Sequence, residues 1–333
     1  MSDTTDAPPR RTRKIWNYTP ALPLQMAPYW DWPAKPLAAV VYLLRSWNPL
    51  GARLLFLLAA LAAWTWFTPD LARAETLHIG WISEVWLKNF VILFTVAGGL
   101  HLMLWRFRIQ KDDYRYDMRP MAKGAKVFHF SNQVWDNMFW SFVALQFWTF
   151  WECLMWWSYA NGWATMITFQ SHPVWFTVLI VLVPIWAGFH FYWFHRLLHV
   201  GRLYTHVHAW HHKNINTGPW SGLAMHPVES FFLMFDTMIF FLVPAHPVHV
   251  LFLLYHHGIG APTSHAGFEK LTFGAKKGFE LGDFFHQLHH RFFDCNYGTF
   301  ETPWDKWFQT FHDGTETSDA AIKERRRKLW AGS

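Results

Sequence analysis

The sequence predicts an all-α membrane protein: about four transmembrane helices, a short membrane hairpin, and a cytoplasmic histidine-rich helical cap that holds a dimetal site. Three observations carry this. Charged residues make up only 16% of the 333-residue chain, against about 25% in soluble domains, while aromatics reach 20% with 24 Trp and 32 Phe. Several apolar runs approach the roughly 20 residues that cross a bilayer. And 16 of the 21 histidines fall between His190 and His290, many at helical spacing. A mean hydropathy of +0.02 requires a sizeable polar portion outside the bilayer as well.

In chain order, residues 1–28 form a polar arm, expected to be disordered, with Pro8, Pro9, Arg10, Arg11, Arg13 and Lys14 near its start. No apolar core follows those charges directly, as a cleavable signal peptide would need. Residues 29–169 hold an interfacial segment and transmembrane helices. The run Leu37–Leu44 is too short to span and reads as interfacial. Longer runs follow at Leu54–Phe67, Trp86–Trp105, Met138–Trp157 and Val174–Phe194. The last is about 21 residues without a charge, with Pro184 expected to kink it. Ser230–Val243 and Pro247–Leu254, separated by Pro244 and Pro247, read as a hairpin dipping into the membrane. Residues 170–312 form the histidine-rich domain and 313–333 a polar tail.

Lysine and arginine set the orientation. The loop after the second run carries Arg106, Arg108, Lys111, Arg115, Arg119, Lys123 and Lys126, whereas the loops at 68–85 and 158–173 carry little beyond Arg73. By the positive-inside rule the basic loop, the histidine region and the Lys323–Lys328 tail are cytoplasmic. Glu152 is an acidic residue deep in an apolar run, either an anchor within the bundle or part of a substrate passage. A passage between the third and fourth runs would use Glu152, Gly188 and His190. Cys153 and Cys295 form no C-x-x-C pair and read as buried free thiols. The net charge of +6 sits in particular loops, and no nucleic-acid signature is present.

The chemistry lies in three histidine combs: His195 with His199, His208 with His211 and His212, and His286 with His289 and His290. Residues three and four apart share one face of a helix, so each comb presents imidazoles together. Eight imidazoles exceed the four to six sites that one ion offers, so two ions are expected.

These combs, with His226-Pro-Val-Glu229, His265-Ala-Gly, Asn296-Tyr-Gly298 and Trp304-Asp305, resemble the fatty acid hydroxylase and sterol desaturase superfamily over about residues 170–312. The resemblance implies an integral-membrane, multi-pass, non-haem di-iron enzyme that uses O2 and external electrons to hydroxylate or desaturate a lipid. That lipid could be sterol-like, a fatty acyl chain or an ether lipid. It implies two iron ions held by His195, His199, His208, His211, His212, His265, His286, His289 and His290. Family members commonly place another histidine where this chain has Ala261, which makes His257 or His256 a further candidate ligand. His226 and Glu229 are expected around the ligands rather than on the metal. Asp283, Glu229 and Asp305 are each able to fix a histidine tautomer. No dinucleotide fingerprint or iron–sulfur cysteine set is visible, so a separate electron donor is required: a reductase, a ferredoxin or a cytochrome. The location implied is the bacterial inner membrane or the endoplasmic reticulum.

Two other readings compete. A zinc-dependent lipid hydrolase would use fewer ligands with some carboxylates. A membrane metal-binding or transport protein without oxidative chemistry would place its ligands at the bilayer midplane, whereas these combs follow a run and interleave with Arg196, Arg202 and Lys213.

Overall fold

The computed structural model describes residues 16–273 and 277–331. Residues 1–15 of the expected arm lie outside the described residues. Its remainder, 16–28, is ordered, contrary to expectation, because its apolar side chains find partners. Trp16 packs edge-on against Phe284, and Leu24 and Ala27 are buried. Backbone N–H groups of Asn17, Leu24 and Ala27 donate to the carbonyls of Tyr116, Asp313 and Phe300.

The helix α1 (Pro36–Ser46) opens on a proline at its first position, where the missing N–H costs nothing. None of its residues is buried, and Leu37 and Leu44 are 76% and 70% exposed. That outward apolar face suits an interfacial helix. α2 (Ala52–Ala62) continues as a π-helical turn to Phe67. α3 (Ile79–Leu93) is prolonged through further π-helical turns to Arg106. α4 (Gln133–Ala160) is capped by Asn132, whose side chain accepts from the N–H groups of Val134 and Trp135. α5 (Pro173–Leu198) runs unbroken with Pro184 inside it.

Of the four expected spans, two helices are long and apolar enough to cross a membrane, Ile79–Arg106 and Pro173–Leu198. The Ala52–Phe67 helix is shorter than a span. α4 is long enough, but it carries Asp136 and Glu152 and turns polar groups inward; Gln133, Asn137, Ser141, Thr149 and Glu152 are all buried.

After α5 come the short helices α6 (Gly201–Leu203) and α7 (Ala209–His212), then α8 (Pro227–Leu233), α9 (Pro247–Gly258) and α10 (Gly260–Ser264). The expected membrane hairpin is thus helical, yet α9 does not face lipid alone. It packs against α2, α4 and α5, and every residue in it except His256 is buried. A two-stranded antiparallel hairpin, β1 (Lys270–Phe273) with β2 (Lys277–Glu280), interrupts the expected all-helical pattern. The chain ends in α11 (Phe284–Phe292), α12 (Trp304–Trp307) and α13 (Glu316–Ala331).

The basic loop and the tail gather on the histidine cap: Asn216 Nδ2 donates to Arg119 O, and Arg326 pairs with Asp294. Residues near 75, 161–167 and 245 meet one another instead, through Asn161 Nδ2 to Glu75 O and the Met166–Ala245 bridge.

Candidate metal centre

Each comb is placed by a helix end. His195 lies in the last turn of α5 and His199 caps it. His208 closes a π-helical turn that runs into α7, which carries His211 and His212. Asp283 caps α11, its Oδ1 accepting the His286 N–H at 3.2 Å, and so fixes where the third comb begins.

These elements bring nine histidines into two groups. His195, His199, His208, His212 and His289 form one; His211, His265, His286 and His290 form the other. Within each group the candidate ligand atoms lie within 4.8 Å of one another, and all nine residues are buried except the half-buried His199. The groups adjoin, with ring centroids of His212 and His290 5.0 Å apart.

The tautomers follow from outward hydrogen bonds. Nδ1–H donates to Tyr297 O from His195 at 2.7 Å, to Ala261 O from His265 at 2.8 Å, and to Cys295 O from His289 at 2.6 Å. His211 makes a longer bond to Ala224 O, at 3.4 Å. His208 Nδ1 meets Glu229 Oε1 at 2.7 Å. A carbonyl only accepts, so Nδ1 carries the hydrogen and Nε2 presents a lone pair. Those lone pairs face one another: His195 Nε2 and His208 Nε2 are 2.9 Å apart, and His265 Nε2 and His211 Nε2 are 3.3 Å apart. Two acceptors at that distance repel unless a cation lies between them, and each group could hold a metal ion.

The rings are held neutral, as ligation requires. Burial pushes the His211 imidazole down to about 4. Burial first, and neighbouring imidazoles second, push His265 down to about 3 and His208, His212, His286, His289 and His290 well below the usual value.

Of the surrounding residues named from sequence, Glu229 touches a candidate ligand directly. Its second oxygen, Oε2, is buried without a partner, and burial raises its carboxyl well above the ordinary range. Asp305 is buried, not a solvated surface group. It accepts from the N–H groups of Tyr297 and Gly298 and from the Thr310 hydroxyl, and so holds the turn whose carbonyl orients His195. Asp283 acts through the backbone of α11 and touches no ring nitrogen of the groups; burial pushes it up to about 7. His226 stands apart. It caps α8 and packs edge-on against Trp210.

His257 is in neither group: its Nε2 is 2.8 Å from Asp236 Oδ2, so its ring is engaged elsewhere. His256 bonds its own helix through Nδ1 to Phe252 O. Glu152 lies outside the lining of the apolar cavity beside the histidines and is buried within the bundle. It pairs with Lys88 and accepts from Asn89 at 2.9 Å and Trp156 at 3.1 Å. His190 is turned away, with Nε2 3.0 Å from Phe232 O.

An apolar cavity of about 240 Å³ opens beside the histidines. His195, His208, His211, His265 and His286 form part of its wall. Gly188 lines it, together with Pro184, Ala187 and Phe191 of α5. The facing wall comes from α2 and from α8 to α10, with none from α4, so the expected gap between the third and fourth runs is not where the cavity lies. Two aromatics of α4 are committed to packing: Trp151 Nε1 donates to Phe231 O and Trp148 stacks edge-on with Tyr255. Gly222 makes the arrangement possible, since a Cβ there would collide with the Ala261 backbone and separate the two carbonyl-bearing segments that orient His211 and His265.

Sequence reasoning missed the carbonyls of Ala224, Ala261, Cys295 and Tyr297, because backbone acceptors leave no trace in residue identity. It also missed Lys88, although a lysine about two and a half turns into an apolar helix is a signal of a buried partner.

Residues 178–310 match the family model described as Fatty acid hydroxylase. The chain is 27% identical over 238 residues to a putative Delta(7)-sterol-C5(6)-desaturase 2 of Arabidopsis thaliana, covering 67% of this chain and 78% of that protein. It is 32% identical over 143 residues to the Delta(7)-sterol 5(6)-desaturase of Candida albicans, 42% of this chain and 36% of the relative. To lathosterol oxidase of Rattus norvegicus it is 31% identical over 149 residues, 44% of this chain and 46% of the relative. The matches therefore span less than half the length of the yeast and rat proteins. No solved structure matches. All nine converging histidines fall within the matched stretch, and the comparisons support the fatty acid hydroxylase and sterol desaturase superfamily for that stretch.

Proposed function

We infer that the protein is a membrane-bound oxidoreductase that hydroxylates or desaturates a lipid at a pair of iron ions held by the nine histidines. The observation that carries this is the set of opposed Nε2 lone pairs on the wall of an apolar cavity. Iron bound there supplies, with O2 and external electrons, an oxidising power that no side chain has. The chain's own residues do the rest. Tyr297 O, Ala261 O, Cys295 O and Glu229 keep the imidazoles in one tautomer and orientation, and the apolar lining excludes water from the reacting carbon. Among the described residues no carboxylate belongs to either ligand group, which favours this reading over zinc-dependent hydrolysis.

A lipid enters from the bilayer through the gap between α2 and α5, since exposing each methylene to water costs about 0.8 kcal/mol. The cap and basic loop face the cytoplasm in an integral, multi-pass arrangement. There the exposed Arg106, Lys111, Lys123 and Lys126 suit an acidic electron-donating partner. The test is metal analysis of the purified protein together with mass spectrometry of lipids from cells with and without it. Two irons per chain and a lipid product shifted by one oxygen or two hydrogens are expected. No product change from a protein loaded with two irons would overturn the assignment.

A further inference from the structure

The cavity has a second polar end that the metal groups do not use. Arg53, at the start of α2, reaches Glu301 with Nη2 at 2.5 Å and Ser46 Oγ with Nη1 at 2.6 Å, so the ion pair at the cavity wall is charge-balanced. Beside it stands His256, packed edge-on against Phe56, another lining residue. His256 Nδ1 donates to Phe252 O at 2.8 Å, which leaves Nε2 as a lone-pair acceptor. That Nε2 is buried and has no partner. Thr299 Oγ1, also buried in the lining, lies beside the Glu301 carboxylate and helps hold it ionised.

A buried acceptor without a donor costs about 1 to 3 kcal/mol, so it points to a ligand that brings the donor. The chemistry narrows what that ligand is. A carboxylate or phosphate has no hydrogen to give Nε2 and would meet the Glu301 carboxylate. A ketone accepts only. A neutral hydroxyl donates to Nε2, and the apolar part of the lining, from Phe56, Pro184, Ala187 and Leu233, takes an apolar body.

We propose that this end of the cavity, formed by Arg53, His256, Thr299 and Glu301, binds the hydroxyl of a lipid whose only polar group is that hydroxyl, with His256 Nε2 accepting its hydrogen. His256 is then a specificity-determining residue and not a metal ligand. The proposal rests on the lipid-oxidising reading for its choice of a lipid.

The test measures binding without turnover, on iron-loaded protein in nanodiscs kept free of reductant. A Δ7-sterol is compared with its 3-ketone and its 3-sulfate, and a long-chain secondary alcohol with the matching ketone. In at least one of the two lipid classes the alcohol should bind about tenfold more tightly than the ketone, and the sterol sulfate more weakly than the free sterol. His256→Phe should abolish the alcohol preference with iron content unchanged, and His256→Gln, which restores an acceptor, should recover part of it. Equal binding of alcohol and ketone by the wild-type protein in both classes overturns the proposal even if no variant folds. So does tightest binding of the sulfate, or an alcohol preference that survives His256→Phe. Because no step of the assay requires oxidation, a protein that binds the alcohol selectively but makes no oxidised product would sink the enzyme reading and leave this one standing.

Discussion

Replacing Glu229 should cost one metal ion per chain, not two. Its Oε1 touches His208 Nδ1 at 2.7 Å, and His208 belongs to the five-histidine group alone. In Glu229→Gln the amide oxygen can still accept that hydrogen bond, so what disappears is the charge that this carboxyl, raised by burial in the metal-free protein, would carry once a metal is bound. A hydrogen bond to a charged group contributes about 1.5 to 3 kcal/mol and a neutral one about 0.5 to 1.5. The difference, roughly 1 to 1.5 kcal/mol, corresponds to about a tenfold loss of affinity. Glu229→Leu removes the bond entirely and should weaken the site by about a hundredfold, the upper end for residues that orient a ligand. The measurement is a titration of the metal-free protein with ferrous ion in a chelator buffer, with bound metal counted per chain. One of two steps should move to higher free iron, by the graded amounts, while the other stays. If both steps move together, or Glu229→Leu leaves both in place, then Glu229 does not act through His208 and the division into five and four ligands is wrong.

Other tests follow from single contacts. His289→Ala should abolish activity and lower iron content with the protein still in the membrane fraction, whereas His257→Ala should retain both irons, because His257 is bonded to Asp236; iron loss in His257→Ala would restore it as a ligand. Lys88→Met should leave the Glu152 charge uncompensated and destabilise the protein by about 3 to 5 kcal/mol, while Lys88→Met with Glu152→Leu recovers most of that; thermal unfolding of both in detergent checks it. In the metal-free protein, burial holds His211 down to about 4 and His265 to about 3, against about 6.5 in the unfolded chain. Above 6.5 both states are neutral and these groups add no pH dependence. Below it the unfolded chain gains protons that the folded one does not, so stability falls from pH 6.5 towards 4, by up to about 1.4 kcal/mol per unit for each histidine. A midpoint that stays flat from pH 7.5 to 5 would contradict the buried, neutral cluster. Even Gly188→Ala should disturb the cavity, since a Cβ there would stand 2.6 Å from Thr299 Oγ1; it should reduce substrate binding while iron content holds.

The sites that could be read from sequence are those where identity and spacing carry the chemistry. Eight of the nine histidines announce themselves because imidazole has few reasons to recur at three- and four-residue intervals; His265 is implied by the resemblance alone, and all nine converge. What could not be read depends on the side of a helix that faces protein. Met138–Trp157 looks like a span in composition, yet Asn137, Ser141 and Glu152 all find partners inside, which only the packed neighbours Asn214, Trp220 and Lys88 disclose. His257 and His265 show the same limit. Both are histidines near the end of an apolar stretch, and only the fold sets one against Asp236 and the other against His211.

One feature of the combs was legible in principle. A residue in an α-helix turns by about 100°, so i and i+4 lie about 40° apart while i+3 falls about 60° to the other side of i. A histidine triplet at i, i+3 and i+4 cannot aim all three rings at one point without strain. It can aim i and i+4 at one ion and i+3 at its neighbour. Both triplets do this: His208 and His212 serve one group and His211 the other, and His286 and His290 serve one group and His289 the other. The two triplets are used in opposite senses, so each group receives three imidazoles from them. The remaining histidines complete the groups unequally, His195 and His199 joining one and His265 the other. The four-ligand group is therefore the less saturated, and its histidines His211, His265 and His286 all line the cavity. An ion held there would have fewer histidine ligands, so of the two it would be the one whose loss should most weaken oxidation. Substitution of His265, which serves that group alone, should be more damaging to turnover than substitution of His199 when one metal ion is retained in each variant. Equal loss in the two variants would mean that both ions are needed for every step.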